Sequence, residues 1–173
     1  MLRRASIAAA GLLLSVLAFA NTELKPWKGG GTPALAAATL DGRQVDLRDL
    51  KGRVVLVNFW ATWCDPCREE MPSFQRLRDK LKGRPFEVLT VNFGEGPAKI
   101  QPFLERWHID LPVLLDRDKE AAAAWHAGGL PMTFLVDAQG RVRYSAFGEC
   151  DWSVGEPLHA VEALLAEAGP RAR

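Results

Sequence analysis

The sequence predicts an α/β fold in which a mixed β-sheet carries helices on both faces. Two observations support this prediction. Short β-branched and aromatic runs alternate with amphipathic stretches along most of the chain, as expected for a sheet covered by helices. In addition, the run 54–60 (VVLVNFW) is apolar except for one asparagine, which is typical of a strand that is buried on both faces in a parallel sheet.

The composition excludes several classes of protein. The chain has 173 residues, of which 48% are hydrophobic and 25% are charged, and its formal net charge is +1. This length and composition predict one globular domain with an apolar core. The charge balance argues against a nucleic-acid-binding protein, since such proteins neutralise phosphates with many basic residues. The 3 cysteines are too few for a small fold stapled by disulfides.

The segment 1–20 has the features of a signal peptide. Arg3 and Arg4 precede an apolar run, 7–20, which ends in the small-residue pattern AFA. The run is shorter than a transmembrane helix requires, although an uncleaved membrane anchor stays open as an alternative. Cleavage leaves 20 basic and 21 acidic side chains in the mature chain. Export places the protein in the periplasm or another oxidising compartment.

The mature chain divides into two parts. The segment 21–33 contains GGG and two prolines and is expected to be a flexible lead-in to a domain that spans 34–169. The Asp41–Gly42 pair predicts a β-hairpin near the start of this domain. Strands and helices then follow in turn. The predicted strands are 54–60, 86–93, 113–115, 132–136 and 142–147, and the predicted helices are 67–82, 99–108, 119–125 and 153–168.

Apolar periodicity and terminal residues support the helices. In the helix predicted for 67–82, apolar residues recur every three or four positions. The last helix is predicted to begin with a capping box formed by Ser153 and Glu156. The tryptophans expected to pack in the core are Trp60, Trp107, Trp125 and Trp152.

The motif WCDPC, at 63–67, lies where the first long strand ends and a helix begins. Cys64 and Cys67 are three positions apart and can form a disulfide with little backbone movement. Cys64 lies at the helix N-terminus, where free amide groups and the helix dipole stabilise a thiolate, the nucleophile in disulfide exchange. Cys67, one turn further along, is predicted to be the resolving thiol. The alternatives are an inert disulfide or half of a zinc site, which needs a second pair of ligands.

Three sequence stretches carry a resemblance to a known family. NFWATWCDPC and the later GLPMTFLVD resemble the thioredoxin superfamily. VNFGEG, between them, narrows the resemblance to the TlpA/ResA-type exported thiol-disulfide oxidoreductases, which include the cytochrome c maturation thioredoxins. The resemblance implies a thioredoxin-like three-layer sandwich with an extra N-terminal β-hairpin, and thiol-disulfide exchange without a bound cofactor.

The resemblance also implies roles for residues outside the motif. Pro131 occupies the position of the superfamily's cis-proline, and the backbone of Leu130 is expected to pair with an extended substrate peptide. Trp63 is expected to shield the disulfide and to contact substrate. Asn58 stands where ordinary thioredoxins have a buried aspartate. Glu95 is expected to replace that aspartate as the proton relay, because burial favours its neutral form; otherwise it is an exposed loop residue.

Two further residues bear on the redox chemistry. Cys150 lies outside any motif of the family, and it is either an ordinary partly buried thiol or an auxiliary redox or intermolecular thiol. Asp65 places a negative charge between the motif cysteines. This charge opposes thiolate formation at Cys64 and favours a reductant.

The leading hypothesis is an exported, monomeric reductant of disulfides in partner proteins. The resemblance suggests haem-binding cysteines of apocytochrome c or copper-site cysteines of respiratory proteins as substrates, and a membrane electron donor that regenerates the dithiol. A disulfide oxidase is one alternative, because the sequence does not fix the reduction potential. A copper metallochaperone that uses Cys64 and Cys67, with Met132 nearby, is another. A peroxidase is disfavoured, because no PxxxTxxC pattern surrounds Cys64.

Overall fold

The computed structural model describes residues 23–169, so the predicted signal peptide lies outside the described residues. The strands are β1 (Lys25–Pro26), β2 (Ala36–Ala38), β3 (Gln44–Asp46), β4 (Val54–Trp60), β5 (Phe86–Phe93), β6 (Val113–Asp116), β7 (Met132–Val136) and β8 (Val142–Phe147). The helices are α1 (Asp65–Lys80), α2 (Pro97–Arg106), α3 (Glu120–Ala124) and α4 (Gly155–Glu167), with a short 3-10 helix at Leu47–Leu50.

The main sheet is mixed, as predicted. Its strand order is β1-β8-β7-β4-β5-β6, with β4 parallel to β5 and antiparallel to β7. Every residue of β4 is buried, which explains why this strand is apolar along its whole length. Because β7 runs opposite to β4, the end of β4 and the start of β7 lie at the same end of the sheet, where Phe59 pairs with Met132.

Helices cover both faces of this sheet. Leu56 and Trp60 on β4 pack in a core with residues of α1, α2 and α4. Val57 and Phe59, on the other face, pack in a second core with residues of α3. The alternation along one strand therefore separates two apolar cores, and the three-layer arrangement predicted from the sequence is confirmed.

The predicted N-terminal hairpin is formed by β2 and β3, which pair antiparallel. Gly42 in its turn has a φ of 85°, a left-handed conformation that favours glycine. The isolated bridge between Thr39 and Leu114 ties the hairpin to β6 at the edge of the main sheet. The segment predicted as a flexible lead-in also contributes structure, since β1 pairs with β8 and the Trp27 amide donates to the Arg143 carbonyl at 2.9 Å.

The capping box predicted for the last helix is wrong. The N-cap of α4 is Val154, and no side chain caps the helix. The Ser153 hydroxyl is instead held by the Asp151 carboxylate and accepts a hydrogen bond from Arg76 Nε at 3.2 Å. The hydrogen bond with Arg76 of α1 thus engages the Ser153 side chain, which the local sequence predicts to cap α4.

Three of the four tryptophans expected in the core are buried: Trp60, Trp125 and Trp152. Trp107 is 41% exposed, and the prediction for it is wrong. Its ring lies against the guanidinium groups of Arg68 and Arg106, at 4.7 and 5.6 Å from the ring centroid. These cation–π contacts hold the ring at the surface. Among residues 23–169, no helix combines the length and the apolar character that a membrane span requires.

Candidate active site

The motif cysteines form a disulfide at the N-terminus of α1. Cys64 and Cys67 are bonded, with their Cα atoms 5.3 Å apart. Cys64 is the N-cap residue of α1, and its Sγ accepts a hydrogen bond from the Cys67 amide at 3.3 Å. The predicted pairing and the predicted position of Cys64 are therefore confirmed. Amide groups at this helix end stabilise a thiolate on Cys64 once the disulfide is opened.

The two sulfurs differ in access to solvent. Cys64 is 5% exposed and Cys67 is 1% exposed. Trp63, the residue before Cys64, is 64% exposed. A protein that approaches this helix end therefore meets Trp63 and Cys64 before it can reach Cys67.

The loop before β7 lies at the same end of the sheet. The Leu130–Pro131 peptide bond is cis, as the resemblance implied. Leu130 packs against the core cluster that contains both motif cysteines. In the described part of the chain, no backbone hydrogen bond uses the amide or the carbonyl of Leu130. Its backbone is thus available to pair with an added strand.

A buried carboxyl group lies one turn beyond Cys67. Glu70 is 2% exposed, and its Oε2 accepts a hydrogen bond from Asn58 Nδ2 at 3.2 Å. Its Oε1 accepts from Trp152 Nε1 at 2.8 Å and from the Cys150 amide at 3.3 Å. Burial raises the pKa of Glu70 to about 8, and these hydrogen bonds only partly offset that effect. Glu70 can therefore gain or lose a proton near neutral pH.

The motifs in the sequence did not predict a functional role for Glu70. A signal for it exists, because Glu70 interrupts the apolar stripe of α1 one turn after Cys67 and one turn before Phe74. A glutamate at such a position is buried together with the apolar stripe when this side of the helix faces the core. Asn58 is also buried and donates to Thr133 Oγ1 at 2.9 Å, while within residues 23–169 its Oδ1 has no partner.

Glu95 lies close to the motif but in a different electrostatic state from the one expected. Its carboxylate accepts from the Thr62 amide at 2.7 Å, the Thr62 hydroxyl at 2.6 Å and Asn92 Nδ2 at 3.0 Å. Burial alone raises the pKa of Glu95, but these hydrogen bonds outweigh it and hold the pKa below its usual value. The expected direction of this pKa shift is therefore wrong. Glu95 is buried and ionised, and it fixes the segment that leads into Cys64.

Asp65 and Cys150 have local partners. The Asp65 carboxylate accepts from Arg68 Nη1 at 2.8 Å, and this ion pair weakens the effect of Asp65 on Cys64. Cys150 is a free, partly buried thiol. Burial raises the pKa of its thiol, so Cys150 stays protonated and is a poor nucleophile. Among the described residues, no group of three or more His, Cys, Asp or Glu side chains is placed to hold a metal ion.

A three-layer α/β fold with a CxxC disulfide at a helix N-terminus, next to a cis-proline loop, defines a thioredoxin-like protein with a redox-active disulfide. Comparison with known proteins narrows this class. The AhpC/TSA family signature matches residues 29–145. The chain belongs to this family and, within it, to the ResA-type thiol-disulfide oxidoreductases, which confirms the resemblance carried by the motifs.

The relatives that support this assignment cover most of the chain. Thiol-disulfide oxidoreductase ResA of Geobacillus thermodenitrificans is 37% identical over 115 residues, which span 66% of this chain and 66% of that protein, just under two thirds of its length. ResA of Bacillus anthracis is 34% identical over 131 residues, or 76% of this chain and 75% of that one. The crystal structure of a candidate thiol:disulfide interchange protein DsbE from Chlorobium tepidum has a TM-score of 0.69 and 28% identity, and the match covers 83% of this chain and 99% of that one.

Proposed function

We propose that this protein reduces disulfides in partner proteins through the Cys64–Cys67 pair. The observation that carries the proposal is the position of the disulfide, at the N-terminus of α1 and at the same sheet end as Leu130, whose backbone is unpaired within residues 23–169. An extended segment of a partner adds beside Leu130 as a strand next to Pro131, which brings its disulfide to Cys64.

Two exchange steps transfer two electrons to the partner. The Cys64 thiolate attacks one sulfur of the partner's disulfide, forms a mixed disulfide and releases the other sulfur as a thiolate that takes up a proton. The Cys67 sulfur, after losing its proton, then attacks Cys64 Sγ. This step forms the Cys64–Cys67 disulfide and releases the partner's second thiolate, which also takes up a proton. The partner leaves with two thiols.

Glu70 and Glu95 have different roles, whereas the sequence predicts a single proton relay at Glu95. Glu70 accepts the proton from Cys67, because it lies one turn along α1 and its pKa is raised to about 8 by burial. Glu95 is a positioning residue, because its ionised carboxylate holds the backbone of Thr62, two residues before Cys64.

The charges around the disulfide favour reduction of partners over oxidation. A dithiol pair is strongly oxidising when its thiolate is strongly stabilised. The basic residue in the first turn of α1, Arg68, is engaged by both Asp65 and Glu69. The buried group beyond Cys67 is a carboxyl, which disfavours a second negative charge nearby. The helix N-terminus is thus the main source of thiolate stabilisation, and the disulfide form is favoured.

The proposal includes the compartment in which the protein acts and the regeneration of its dithiol. Export through the segment 1–20 brings it to an oxidising compartment, where a membrane electron donor must regenerate the dithiol. Haem-binding cysteines of apocytochrome c and copper-site cysteines of respiratory proteins are the proposed substrate classes. Support for both comes from the resemblance to TlpA/ResA-type proteins, which VNFGEG narrows from the superfamily motifs around Cys64 and Pro131.

The reduction potential of the Cys64–Cys67 couple tests the direction of the reaction. We expect a value more negative than about −220 mV, on the reducing side of protein disulfide isomerase. Equilibration with glutathione or dithiothreitol buffers, followed by alkylation of free thiols, measures it. A value near the roughly −120 mV of a strong oxidant contradicts the proposal and favours a disulfide oxidase.

Replacing Glu95 by glutamine separates positioning from proton transfer. We expect Glu95→Gln to lower the free energy of unfolding by about 1–3 kcal/mol at neutral pH, because charge-assisted bonds to Thr62 are lost. Since the folded pKa is lowered, this stabilisation is present above the unfolded pKa and disappears as the pH falls through the folded value. Urea denaturation as a function of pH measures both. An unchanged stability, or a shifted titration of the two thiols, contradicts the positioning role.

A further inference from the structure

Two aromatic side chains stand exposed at the active-site end of the sheet. Trp63 is 64% exposed and Phe147 is 65% exposed. The other large hydrophobic side chains that are exposed in residues 23–169 are Trp107 and Val154, and the Trp107 ring contacts two guanidinium groups. Large exposed aromatic side chains at the same end of the sheet as a reactive disulfide are candidates for contact with a partner protein.

The backbone places Phe147 beside the cis-proline loop. Phe147 is the last residue of β8 and pairs with Met132, and the amide of the next residue donates to the Pro131 carbonyl at 3.0 Å. Its ring lies over Gly129, where an added Cβ would be 2.5 Å from Phe147 Cε2. Glycine at 129 is therefore what allows the ring to lie against this loop.

The strand order places the loop of residues 129–131 between the chain segments that carry the two aromatic residues. This loop precedes β7, whose neighbours are β4 on one side and β8 on the other. Trp63 follows β4, and Phe147 ends β8. A peptide segment that pairs with Leu130 therefore has Trp63 on one side and Phe147 on the other.

We propose that Phe147 is a specificity-determining residue that selects partner segments with a large apolar side chain within two residues of the reacting cysteine. This proposal rests on the proposed function, because the partner segment is the one that Cys64 attacks. The apolar side chain packs on the Phe147 ring when the segment pairs with Leu130. Burial of a large apolar side chain on this ring strengthens binding of the matching partner by about tenfold.

Exchange kinetics with matched peptides test the proposal. The reduced full chain is mixed with two short peptides of equal length and charge, each a mixed disulfide with thionitrobenzoate, with phenylalanine or serine beside the cysteine. We expect the second-order rate constant of thionitrobenzoate release in this single turnover to be about tenfold higher for the phenylalanine peptide. Phe147→Ser is expected to remove this preference, and Phe147→Leu to keep most of it.

Two further variants distinguish the ring from general surface hydrophobicity. Gly129→Ala is expected to reduce the preference, because the new Cβ displaces the Phe147 ring while Phe147 itself is retained. Val154→Ser, which changes an exposed apolar residue at the N-cap of α4, is expected to keep the preference of the unmodified protein.

The outcomes separate this proposal from the proposed function. Reaction with 2-hydroxyethyl disulfide, which carries no aromatic or large apolar group, checks that the Cys64–Cys67 dithiol of each variant is reactive. If the unmodified protein reacts with no disulfide, the proposed function fails. If exchange is normal but both peptides react equally, or if Phe147→Ser retains the preference, the role of Phe147 is overturned. A dimer in solution that Phe147→Ser dissociates also overturns it, because a second copy then covers the ring.

Discussion

Replacing Cys64 by serine is expected to abolish disulfide reduction, with a loss of about a thousandfold or more in turnover. Cys64 is the N-cap of α1 and the more exposed of the two bonded cysteines, which supports the proposal that its thiolate makes the first attack. Reduction of insulin by dithiothreitol, with and without the protein, measures the turnover. Cys150→Ser is the matched control, and it is expected to keep the full rate because the Cys150 thiol has a raised pKa and stays protonated.

Cys67→Ser is expected to have a different effect from Cys64→Ser. The Cys64 thiolate still attacks, but no thiol is left to resolve the mixed disulfide. The partner therefore stays bonded to Cys64, and the adduct is visible on a non-reducing gel and disappears with excess dithiothreitol. Trapping by Cys64→Ser instead of Cys67→Ser would reverse the assigned roles. Turnover in Cys64→Ser at the unmodified rate would contradict the mechanism as a whole.

The fold could be predicted from the sequence wherever burial on both faces decides the structure. β4 and β5 begin and end at the predicted residues, because strands buried on both faces are apolar along their length. Helix ends could not be predicted as well, since tertiary contacts change the caps, as Ser153 shows. The strand β1 has only two residues, Lys25–Pro26, and a strand this short has no periodicity to detect.

The parts of the active site that depend on local sequence could be predicted, and those that depend on distant residues could not. The spacing of Cys64 and Cys67 is local information, and it determined both the disulfide and its place on α1. The states of Glu95 and Glu70 depend on residues far along the chain. Thr62 lies 33 positions from Glu95, and Trp152 lies 82 positions from Glu70. Without those partners, the motif VNFGEG predicts a raised pKa for Glu95, whereas the hydrogen bonds in the structure hold the pKa of Glu95 below its usual value.

Replacing Glu70 by glutamine is expected to change how stability depends on pH. In the oxidised protein the folded pKa of Glu70 is about 8 and its ordinary value is 4.5, so between these values the folded state holds one more proton than the unfolded chain. The free energy of unfolding therefore falls as the pH rises through this window, by about 1.4 kcal/mol per pH unit for one proton. Glu70→Gln is expected to remove this slope. Its oxygen still accepts from Trp152, and its amide can donate to Asn58 Oδ1, which lacks a partner among residues 23–169, once the side-chain amide of Asn58 flips over.

Urea denaturation of the oxidised protein from about pH 5 to about pH 8 measures the slope. Glu69→Gln is the matched control, because Glu69 is the neighbouring carboxylate on α1 and is exposed.

The same variants test the proton transfer. In the proposed mechanism Glu70 must be ionised to accept the Cys67 proton, so the rate of the resolving step is expected to rise with pH through about 8 in the unmodified protein and in Glu95→Gln. In Glu70→Gln this rise is expected to disappear. If Glu70→Gln keeps both the slope and the rise, the buried carboxyl is not the group that exchanges the proton, and its role is to hold Trp152 and Asn58 against α1.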